Sequence, residues 1–356
     1  MSEQPEQPER TARRDRIRPT RRGTRADRRA LLLAAAGLAL AGTMLVGSLP
    51  RNAGGEAART GPGYAVAEPA DDHIAPLAER ERCDDGTDAA ASFRPERDET
   101  GRAIREIQER GHLVVGIDQN SYLWGYRTPD TGDIVGFDIE LVRAIADDLL
   151  GDPDAVTFLA IPTSERANAI RGNDVDMVVR TMSITCERWE KVAFSTAYFE
   201  TGQQLLVPRD SPIEGYDDSL RGMRVCSAEG STAEGLLQDN SFGAELVLAP
   251  NHLDCLVQVQ LGVADALMTD SALAAGHIAQ DPSTRLVGEP LTQESYGVAM
   301  NLDNTDLVRW VNAVLEDYRG GGAQSGWREA AEDWLAGYLY PEGDPPPEPP
   351  RPLYRD

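Results

Sequence analysis

Residues 173–207, NDVDMVVRTMSITCERWEKVAFSTAYFETGQQLLV, carry the strongest structural signal in the chain. The β-branched run at 175–179 and the apolar run at 203–207 each predict a short buried strand. After the first of them come Arg180 and Arg188, with three hydroxyl side chains between the two arginines. Because a guanidinium can grip a carboxylate through two parallel hydrogen bonds, we predict an anion-binding loop here. A solvated helix start capped by a threonine is the alternative interpretation.

Strands and helices alternate on both sides of this stretch. Residues 112–117 (HLVVGI) predict a strand, and 137–150 predict an amphipathic helix with its apolar side chains on one stripe. The alternation continues with predicted strands at 223–226, 245–248, 265–268 and 297–300 and with final helices at 306–318 and 327–338. Strands separated by helices indicate parallel sheets covered on both faces, and such sheets bind ligands beyond the carboxyl ends of their strands.

Polar and aromatic side chains follow these strands, where a ligand would lie. In chain order the candidates are Asp118, Asn120, Tyr122, Trp124, Arg180, Thr181, Ser183, Arg188, Ser231, Thr232 and Asp270. The small-residue turn at 228–232 enters a helix whose free backbone N–H groups favour anions. Asp270 has an ordinary alternative role as the N-cap of the helix that follows it.

Length and charge restrict the classes of function. A chain of 356 residues is long enough for two domains, since single hydrophobic cores rarely grow beyond about 250–300 residues. The formal net charge is −24, although the first thirty residues are rich in arginine. An acidic body repels nucleic acid, so we expect no nucleic-acid partner, and any anion site must supply its own arginines.

The residues at 30–49 (ALLLAAAGLALAGTMLVGSL) form a long uncharged apolar run behind the arginine-rich segment at 1–29. The run is about long enough to span a bilayer as a helix, and its flanking charges place the N-terminus in the cytoplasm. A retained membrane anchor and a cleaved signal segment both fit this pattern. Because no cleavage site follows closely, we favour the anchor, which leaves the rest of the chain outside the cytoplasmic membrane.

Four cysteines, Cys83, Cys186, Cys226 and Cys255, all follow the apolar run, in a compartment that permits disulfides. None forms a CxxC pair, which argues against zinc or thioredoxin-like chemistry. We therefore expect two disulfides, with four buried free thiols as the alternative. Of the three pairings that four cysteines allow, we predict Cys226 with Cys255 and Cys83 with Cys186.

Five segments together resemble one protein family. They are LVVGIDQNSYLWGY (113–126), GDIVGFDIELVRAIADDL (132–149), the stretch at 173–207, LRGMRVCSAEGST (220–232) and ADALMTDSALAA (264–275). Over about 104–338 the chain resembles the polar amino-acid-binding proteins of ABC importers, solute-binding protein family 3 of the glutamate- and glutamine-binding type. The resemblance implies an α/β, two-lobed type II periplasmic-binding-protein fold with a hinge between the lobes, here with an N-terminal membrane segment. One departure is Cys186, which stands where the family commonly has an acid.

The predicted organisation follows from the resemblance and the composition of the two ends. Its parts are a basic segment at 1–29, an anchor or signal segment at 30–49, a linker arm at 50–97, a first lobe at 98–208 and 296–340, a second lobe at 209–295, and a proline-rich extended tail at 341–356. We expect the chain to cross between the lobes near 207–209 and 295–297, and a ligand to close the hinge by bonding both lobes at once.

The resemblance also implies how the backbone end of an amino acid would be held. Arg188 takes the α-carboxylate, assisted by Ser183 and by the turn at Ser231 and Thr232. Asp270 holds the α-ammonium. The ligand is thereby bound from both predicted lobes.

The other end of the ligand is less fixed by the resemblance. Tyr122 or Trp124 would pack on the ligand stem, while Asp118 and Asn120 would face its side chain. Arg180 is a departure, since relatives that bind glutamine often have a small residue there, and a second cation suggests a second ligand carboxylate. If Asp118 pairs with Arg180 instead, the site becomes neutral and an amide ligand fits as well.

We therefore predict extracytoplasmic binding of a polar, acidic amino acid, glutamate or aspartate, for ABC-type import. Asparagine or glutamine is the alternative ligand, and an amino-acid sensor that signals through a membrane partner is the alternative role. The expected partner is accordingly an ABC permease or a membrane sensor protein. An enzyme is not expected, nor a metal or cofactor, because the four histidines have no metal spacing and no nucleophile motif or phosphate-binding glycine loop is present.

Overall fold

The computed structural model describes residues 80–340 and 345–356. The predictions for 1–29 and 30–49, and those for most of the arm at 50–97, lie outside the described residues. Within the part of the chain that is described, no helix is long and apolar enough to cross a bilayer.

Short strands and helices alternate through the described residues. The strands are β1 (Ala91–Ser92), β2 (Leu113–Ile117), β3 (Asn120–Ser121), β4 (Gly125–Arg127), β5 (Ile134–Val135), β6 (Val156–Ala160), β7 (Met177–Val178), β8 (Ala193–Phe194), β9 (Phe199–Thr201), β10 (Gln203–Pro208), β11 (Arg224–Ala228), β12 (Glu245–Ala249), β13 (Ala266–Asp270), β14 (Thr284–Val287), β15 (Glu294–Tyr296), β16 (Ala299–Met300) and β17 (Leu353–Tyr354). The α-helices are α1 (Arg102–Arg110), α2 (Phe137–Leu150), α3 (Arg166–Arg171), α4 (Cys186–Trp189), α5 (Thr232–Asp239), α6 (His252–Gln260), α7 (Ser271–Gln280), α8 (Thr305–Arg319) and α9 (Gly326–Trp334). The predicted strand at 112–117 and helix at 137–150 are confirmed, whereas β6 was not predicted.

Two five-stranded sheets organise these elements, and we call the part of the chain built on each one a lobe. The first lobe has the strand order β6-β2-β7-β16-β8, and the second has β12-β11-β13-β10-β14. In each sheet the second strand in the order is parallel to both of its neighbours: β2 is parallel to β6 and β7, and β11 is parallel to β12 and β13. The α/β class is therefore confirmed.

Each sheet also contains an antiparallel strand, so the sheets are mixed instead of purely parallel. β16 runs antiparallel to β7 and β8, and β10 runs antiparallel to β13 and β14. The strands β9 and β15 pair with each other as a separate two-stranded ribbon, and the chain crosses between the lobes there. β10 follows β9, and β16 follows β15, so each antiparallel strand comes directly after a crossing. A strand that enters a sheet from the other lobe does not pass through a helical crossover and need not be parallel.

The first crossing differs from its predicted position. The run at 203–208, assigned to the first lobe from sequence, is β10 of the second sheet. The crossing therefore lies at Gly202, after the ribbon strand β9, and not near 207–209. A buried apolar run looks the same in either sheet, which is why its pattern could not locate the boundary. The predicted second crossing at 295–297 overlaps β15.

An aromatic cluster lies at the centre of the first lobe and reaches the ribbon. Trp124 packs edge-on against Phe137, Phe199 and Tyr296, with ring centroids 5.5, 4.8 and 5.6 Å away. The indole Nε1 of Trp124 donates to the carbonyl of Ala272, in the second lobe, at 3.1 Å. Such edge-to-face pairs add about 0.5–1.5 kcal/mol each beyond the area they bury, so this cluster ties the base of the cleft to both lobes.

Both disulfides form with the predicted partners, Cys83 with Cys186 and Cys226 with Cys255. Cys83–Cys186 connects the arm to the first residue of α4, and Cys226–Cys255 connects β11 to α6. Their loops span 103 and 29 residues. In the chain-entropy account the longer loop gives the larger stabilisation, about 4–5 kcal/mol.

The arm and the proline-rich tail meet on the outer side of α4, an arrangement that we call the clasp. Strand β17 of the tail pairs in parallel with β1 of the arm. Trp189 donates from its indole nitrogen to the carbonyl of Ala89 at 2.8 Å, and the Arg355 guanidinium lies over its ring at 4.0 Å. The tail thus ends in a paired strand, a feature that its proline content did not indicate.

Candidate ligand-binding site between the lobes

Two connected spaces lie between the lobes. The inner cavity holds about 20 Å³, which is room for roughly one water molecule, and the outer mouth holds about 730 Å³. The predicted site residues that line the inner cavity are Arg180, Thr181, Ser183, Arg188, Ser231, Thr232 and Asp270. Strand-end residues from three separate stretches of sequence therefore converge between the two sheets, as the rule for α/β sheets predicts.

The loop after β7 turns sharply at Thr181, whose φ is +42°. A β-branched residue in the left-handed region is strained and needs outside support. Its N–H donates to Oδ2 of Asp138 at 3.1 Å, and Tyr198 donates its hydroxyl to Oδ1 of the same carboxyl at 2.9 Å. Burial raises the pKa of Asp138 to about 7. Sequence analysis missed Asp138, because an acid in the first turn of a helix has an ordinary interpretation.

Both terminal nitrogens of Arg180 are engaged with partners inside the protein, while its buried Nε has none among the described residues. Its Nη2 atom lies 2.9 Å from Oδ2 of Asp118 and 2.7 Å from Oδ1 of Asn251, while Nη1 donates to Thr163 Oγ1 at 2.9 Å. Both members of the ion pair are almost inaccessible, at 2% and 5% exposure. Burial alone would raise the pKa of Asp118, but the charge of Arg180, together with His252 and the backbone N–H of Asn120, outweighs burial and holds that pKa below its usual range. Asp118 thus neutralises Arg180.

Two histidines extend this pair across the cleft. Nε2 of His252, in the second lobe, lies 2.6 Å from Ser121 Oγ and 3.5 Å from Asp118 Oδ2. Nδ1 of His252 lies 2.8 Å from Nε2 of His277. Burial lowers the pKa of His277 well below its usual value. His252 therefore links the second lobe to Ser121 and Asp118 of the first. Neither histidine was a candidate from sequence.

Arg188 and Arg166 form a second, differently satisfied pair of cations. In the described part of the chain, all side-chain hydrogen bonds of both arginines go to backbone carbonyls. Arg188 reaches Ser183 at 2.7 Å, Arg166 reaches Thr163 at 2.9 Å, and both reach Gly230, at 3.0 and 3.3 Å respectively. Burial lowers the pKa of each, and for Arg166 the charge of Arg188 adds to the effect. An arginine does not deprotonate in a protein, so these are poorly solvated cations.

Two carboxylates lie on the side of the second lobe and the ribbon. Asp270 ends β13 and accepts from Nε2 of Gln203 at 3.1 Å. Burial, with a further contribution from the charge of Glu294, raises the pKa of Asp270 to about 8. Glu294 belongs to β15 and was not predicted as a site residue. Together these groups make this side of the cleft acidic, opposite the arginines.

The predicted aromatic contacts are not brought to the inner cavity. Trp124 is completely buried in the aromatic cluster, because Leu123 adopts a left-handed φ of +77° and turns the indole inward. Tyr122 packs against Tyr126 and Tyr338, with centroids 5.3 and 6.1 Å away. Asn120 contributes its backbone N–H to Asp118 at 2.8 Å. Neither side chain lines the inner cavity, and the packing of Tyr122 or Trp124 on a ligand stem stays a prediction.

Comparison with known proteins places these features in context. The chain is 31% identical over 250 residues to the ABC transporter glutamine-binding protein of Bacillus subtilis strain 168, covering 70% of this chain and 89% of that protein. It is 31% identical over 236 residues to the glutamate-binding protein of Corynebacterium efficiens, covering 63% of this chain and 80% of that one.

Solved structures share the fold. A mutant of the arginine-binding protein of T. maritima superposes with a TM-score of 0.61 at 29% identity, covering 65% of this chain and 99% of that chain. The solute receptor for L-cysteine of Neisseria gonorrhoeae gives 0.62 at 25% identity, covering 65% and 93%. The family model of the bacterial extracellular solute-binding proteins, family 3, matches residues 113–335. More than half of the chain, including both sheets and the cleft between them, therefore belongs to that family.

Proposed function

We propose that this protein binds an acidic amino acid, glutamate or aspartate, on the outer side of the cytoplasmic membrane and delivers it to an ABC permease. The single observation that carries the proposal is the pair Arg166 and Arg188, two cations at the cleft whose side chains bond only to carbonyls among the described residues. Buried charges gain from a paired counter-charge. A ligand with two carboxylates supplies two.

The α-amino acid end fits the groups that the family resemblance assigns. Arg188 would take the α-carboxylate, together with the hydroxyls of Ser183 and Thr232 and the backbone N–H groups that open helix α5. Asp270 would take the α-ammonium, from the opposite side of the cavity. Bonds to both lobes would favour the closed arrangement, since a ligand stabilises the state in which it makes more contacts.

The second ligand carboxylate is assigned to Arg166 in place of Arg180. Arg180 has a carboxylate partner in Asp118 and is not free to select an acid. Arg166 opens α3, lines both the inner cavity and the mouth, and reaches the same Gly230 carbonyl as Arg188. Because the two guanidiniums are neighbours, one ligand carboxylate would bind to Arg188 and the other to Arg166.

An amide ligand, glutamine or asparagine, is the second candidate. Two observations favour it: the Asp118–Arg180 pair is neutral, and one of the relatives above carries the name of a glutamine-binding protein. Calorimetric titration of a soluble form from about residue 60 with glutamate, aspartate, glutamine and asparagine separates the two candidates. Preference for the acids supports the proposal, while equal or tighter binding of amides overturns the ligand assignment.

Arg166→Met tests the selector directly. We expect it to weaken glutamate binding about 30-fold or more, as for truncation of a buried charged partner, with a much smaller effect on glutamine. Arg171→Met is the matched control, because Arg171 closes the same helix and is exposed. Equal losses for glutamate and glutamine would show that Arg166 has a structural role only.

The cellular role is proposed on the family and its relatives. Import by an ABC permease would appear as ligand-dependent uptake into vesicles that contain the partner transporter. A sensor would bind with the same affinity without uptake, and an enzyme would convert the amino acid during a long incubation. Sequencing the N-terminus of the mature protein would decide between a retained membrane anchor at 30–49 and a cleaved segment.

A further inference from the structure

Glu294 lies where an anion is expected to bind. It opens the ribbon strand β15 and is only 9% exposed. Its Oε2 atom accepts from the hydroxyl of Ser183 and, at 2.9 Å, from the hydroxyl of Thr232. Its Oε1 atom accepts from Thr292 Oγ1 at 3.0 Å.

These donors are the ones assigned above to a ligand. Ser183 belongs to the first lobe and Thr232 to the second, and both hydroxyls were predicted to hold the α-carboxylate of the bound amino acid. A single carboxylate oxygen of Glu294 therefore already bridges the two lobes in the way a ligand carboxylate would. Among the described residues Glu294 makes no salt bridge, so its carboxylate is held there by hydroxyl groups.

We infer that Glu294 is an internal surrogate for the α-carboxylate of the ligand. Its carboxylate holds the two lobes closed when no ligand is bound, and it sets the affinity because it competes with the ligand for the same hydroxyls. The inference rests on the proposed function, since it uses the same carboxylate site. Two carboxylates cannot share these two hydroxyls without repulsion, so a ligand must displace Glu294 before Arg188 and the hydroxyls receive its own α-carboxylate. The fraction of protein with Glu294 docked thus lowers the apparent affinity.

Glu294 has room to move when it is displaced. It lines the mouth of about 730 Å³ together with Thr292, and its bond to Thr292 does not depend on either lobe hydroxyl. The mouth offers water to the released carboxylate, so displacement does not leave a buried unpaired charge. A displaced Glu294 could also return as the ligand leaves.

The experiment compares Glu294→Ala and Glu294→Gln with the wild-type protein in two measurements. Small-angle scattering without added ligand reports whether the lobes separate, and calorimetric titration with glutamate and glutamine reports affinity. We expect Glu294→Ala to increase the radius of gyration and to tighten amino-acid binding about tenfold, the effect of one or two lost competing hydrogen bonds. Glu294→Gln keeps the size and can still bond the hydroxyls, so it should remain compact, fold normally and tighten binding less. Glu289→Gln is the matched control, because Glu289 is exposed and should change neither readout.

The outcomes separate this inference from the proposed function. Weaker binding by both Glu294 variants would mean that the carboxylate holds the ligand, and an unchanged radius with unchanged affinity would mean that it is only structural; either result overturns the surrogate. Expansion by Glu294→Ala in a protein that binds no amino acid would overturn the proposed function, while the closing contact of Glu294 would stand.

Discussion

Two arginine sites lie within one cleft and are satisfied in opposite ways. At the Asp118–Arg180 site the cation has a buried carboxylate at 2.9 Å, an asparagine and a threonine around it. At the Arg166–Arg188 site, two cations donate to the backbone carbonyls of Ser183, Thr163 and Gly230. Each site draws on both lobes, so closure alone does not explain the difference.

The difference separates structural charge from charge that is available to a ligand. A buried cation with a fixed counter-ion is costly to disturb, because removing one partner leaves the other uncompensated. A cation that bonds only to carbonyls has no directly bonded counter-ion and gains most when an anion arrives. The first site should therefore control stability, and the second should control affinity.

The largest expected effect is on folding. Arg180→Met leaves the Asp118 carboxylate buried without its cation, and we expect a loss of about 3–5 kcal/mol in the free energy of unfolding at neutral pH. Urea unfolding measures the loss. The double variant Asp118→Leu with Arg180→Met should recover much of it, because no unpaired charge remains. If Arg180→Met has normal stability and loses glutamate affinity instead, the assignment of the Asp118–Arg180 pair to stability is contradicted.

The next effect is on binding. Arg188→Met should weaken glutamate and glutamine alike by about 30-fold or more, because both ligands carry an α-carboxylate. Stability should change less than in Arg180→Met, since no ion pair is broken. Calorimetry and urea unfolding on the same preparation check both statements. Unchanged affinity would remove Arg188 from the ligand site.

The smallest expected effect is the release of a proton from Asp270 when the ligand binds. With its pKa raised to about 8, Asp270 is largely protonated at pH 7 before binding, and an arriving ammonium favours its ionised form. Binding should then release up to about one proton, and affinity should rise with pH until about pH 8 and level off above it. Titrations at pH 7 in phosphate and in Tris, which differ in ionisation enthalpy, measure the released proton. The same heat in both buffers would place the ammonium elsewhere.

The backbone end of the site was accessible to sequence analysis. Ser183, Arg188, Ser231, Thr232 and Asp270 were found because each follows a strand or opens a helix that the hydrophobic pattern marks. The topology of an α/β sheet then brings such positions together. No knowledge of side-chain orientation was required for this step.

The residues that were missed, Arg166, His252 and Glu294, were missed for different reasons. Arg166 follows β6 at 156–160, an edge strand that the sequence analysis did not assign. His252 does open α6 just after β12, but it was assessed only for metal spacing, whereas Glu294 lies on the ribbon and follows no predicted strand. Trp124 was expected beside a ligand and lies in the aromatic cluster, directly after a residue with a left-handed backbone. Orientation of this kind depends on backbone angles that composition does not encode.

The clasp has a practical consequence for attaching reporters. The family match ends at residue 335 and begins at 113, so a shortened protein cut to those limits would lose β1, β17 and Cys83 together. Asp356 is bonded to Arg94 of the arm and to Arg309 of the first lobe. A dye at the C-terminus therefore travels with that lobe, and a second dye on α6 would turn the opening and closing of the cleft into a change of fluorescence transfer. The placement leaves the ligand groups untouched.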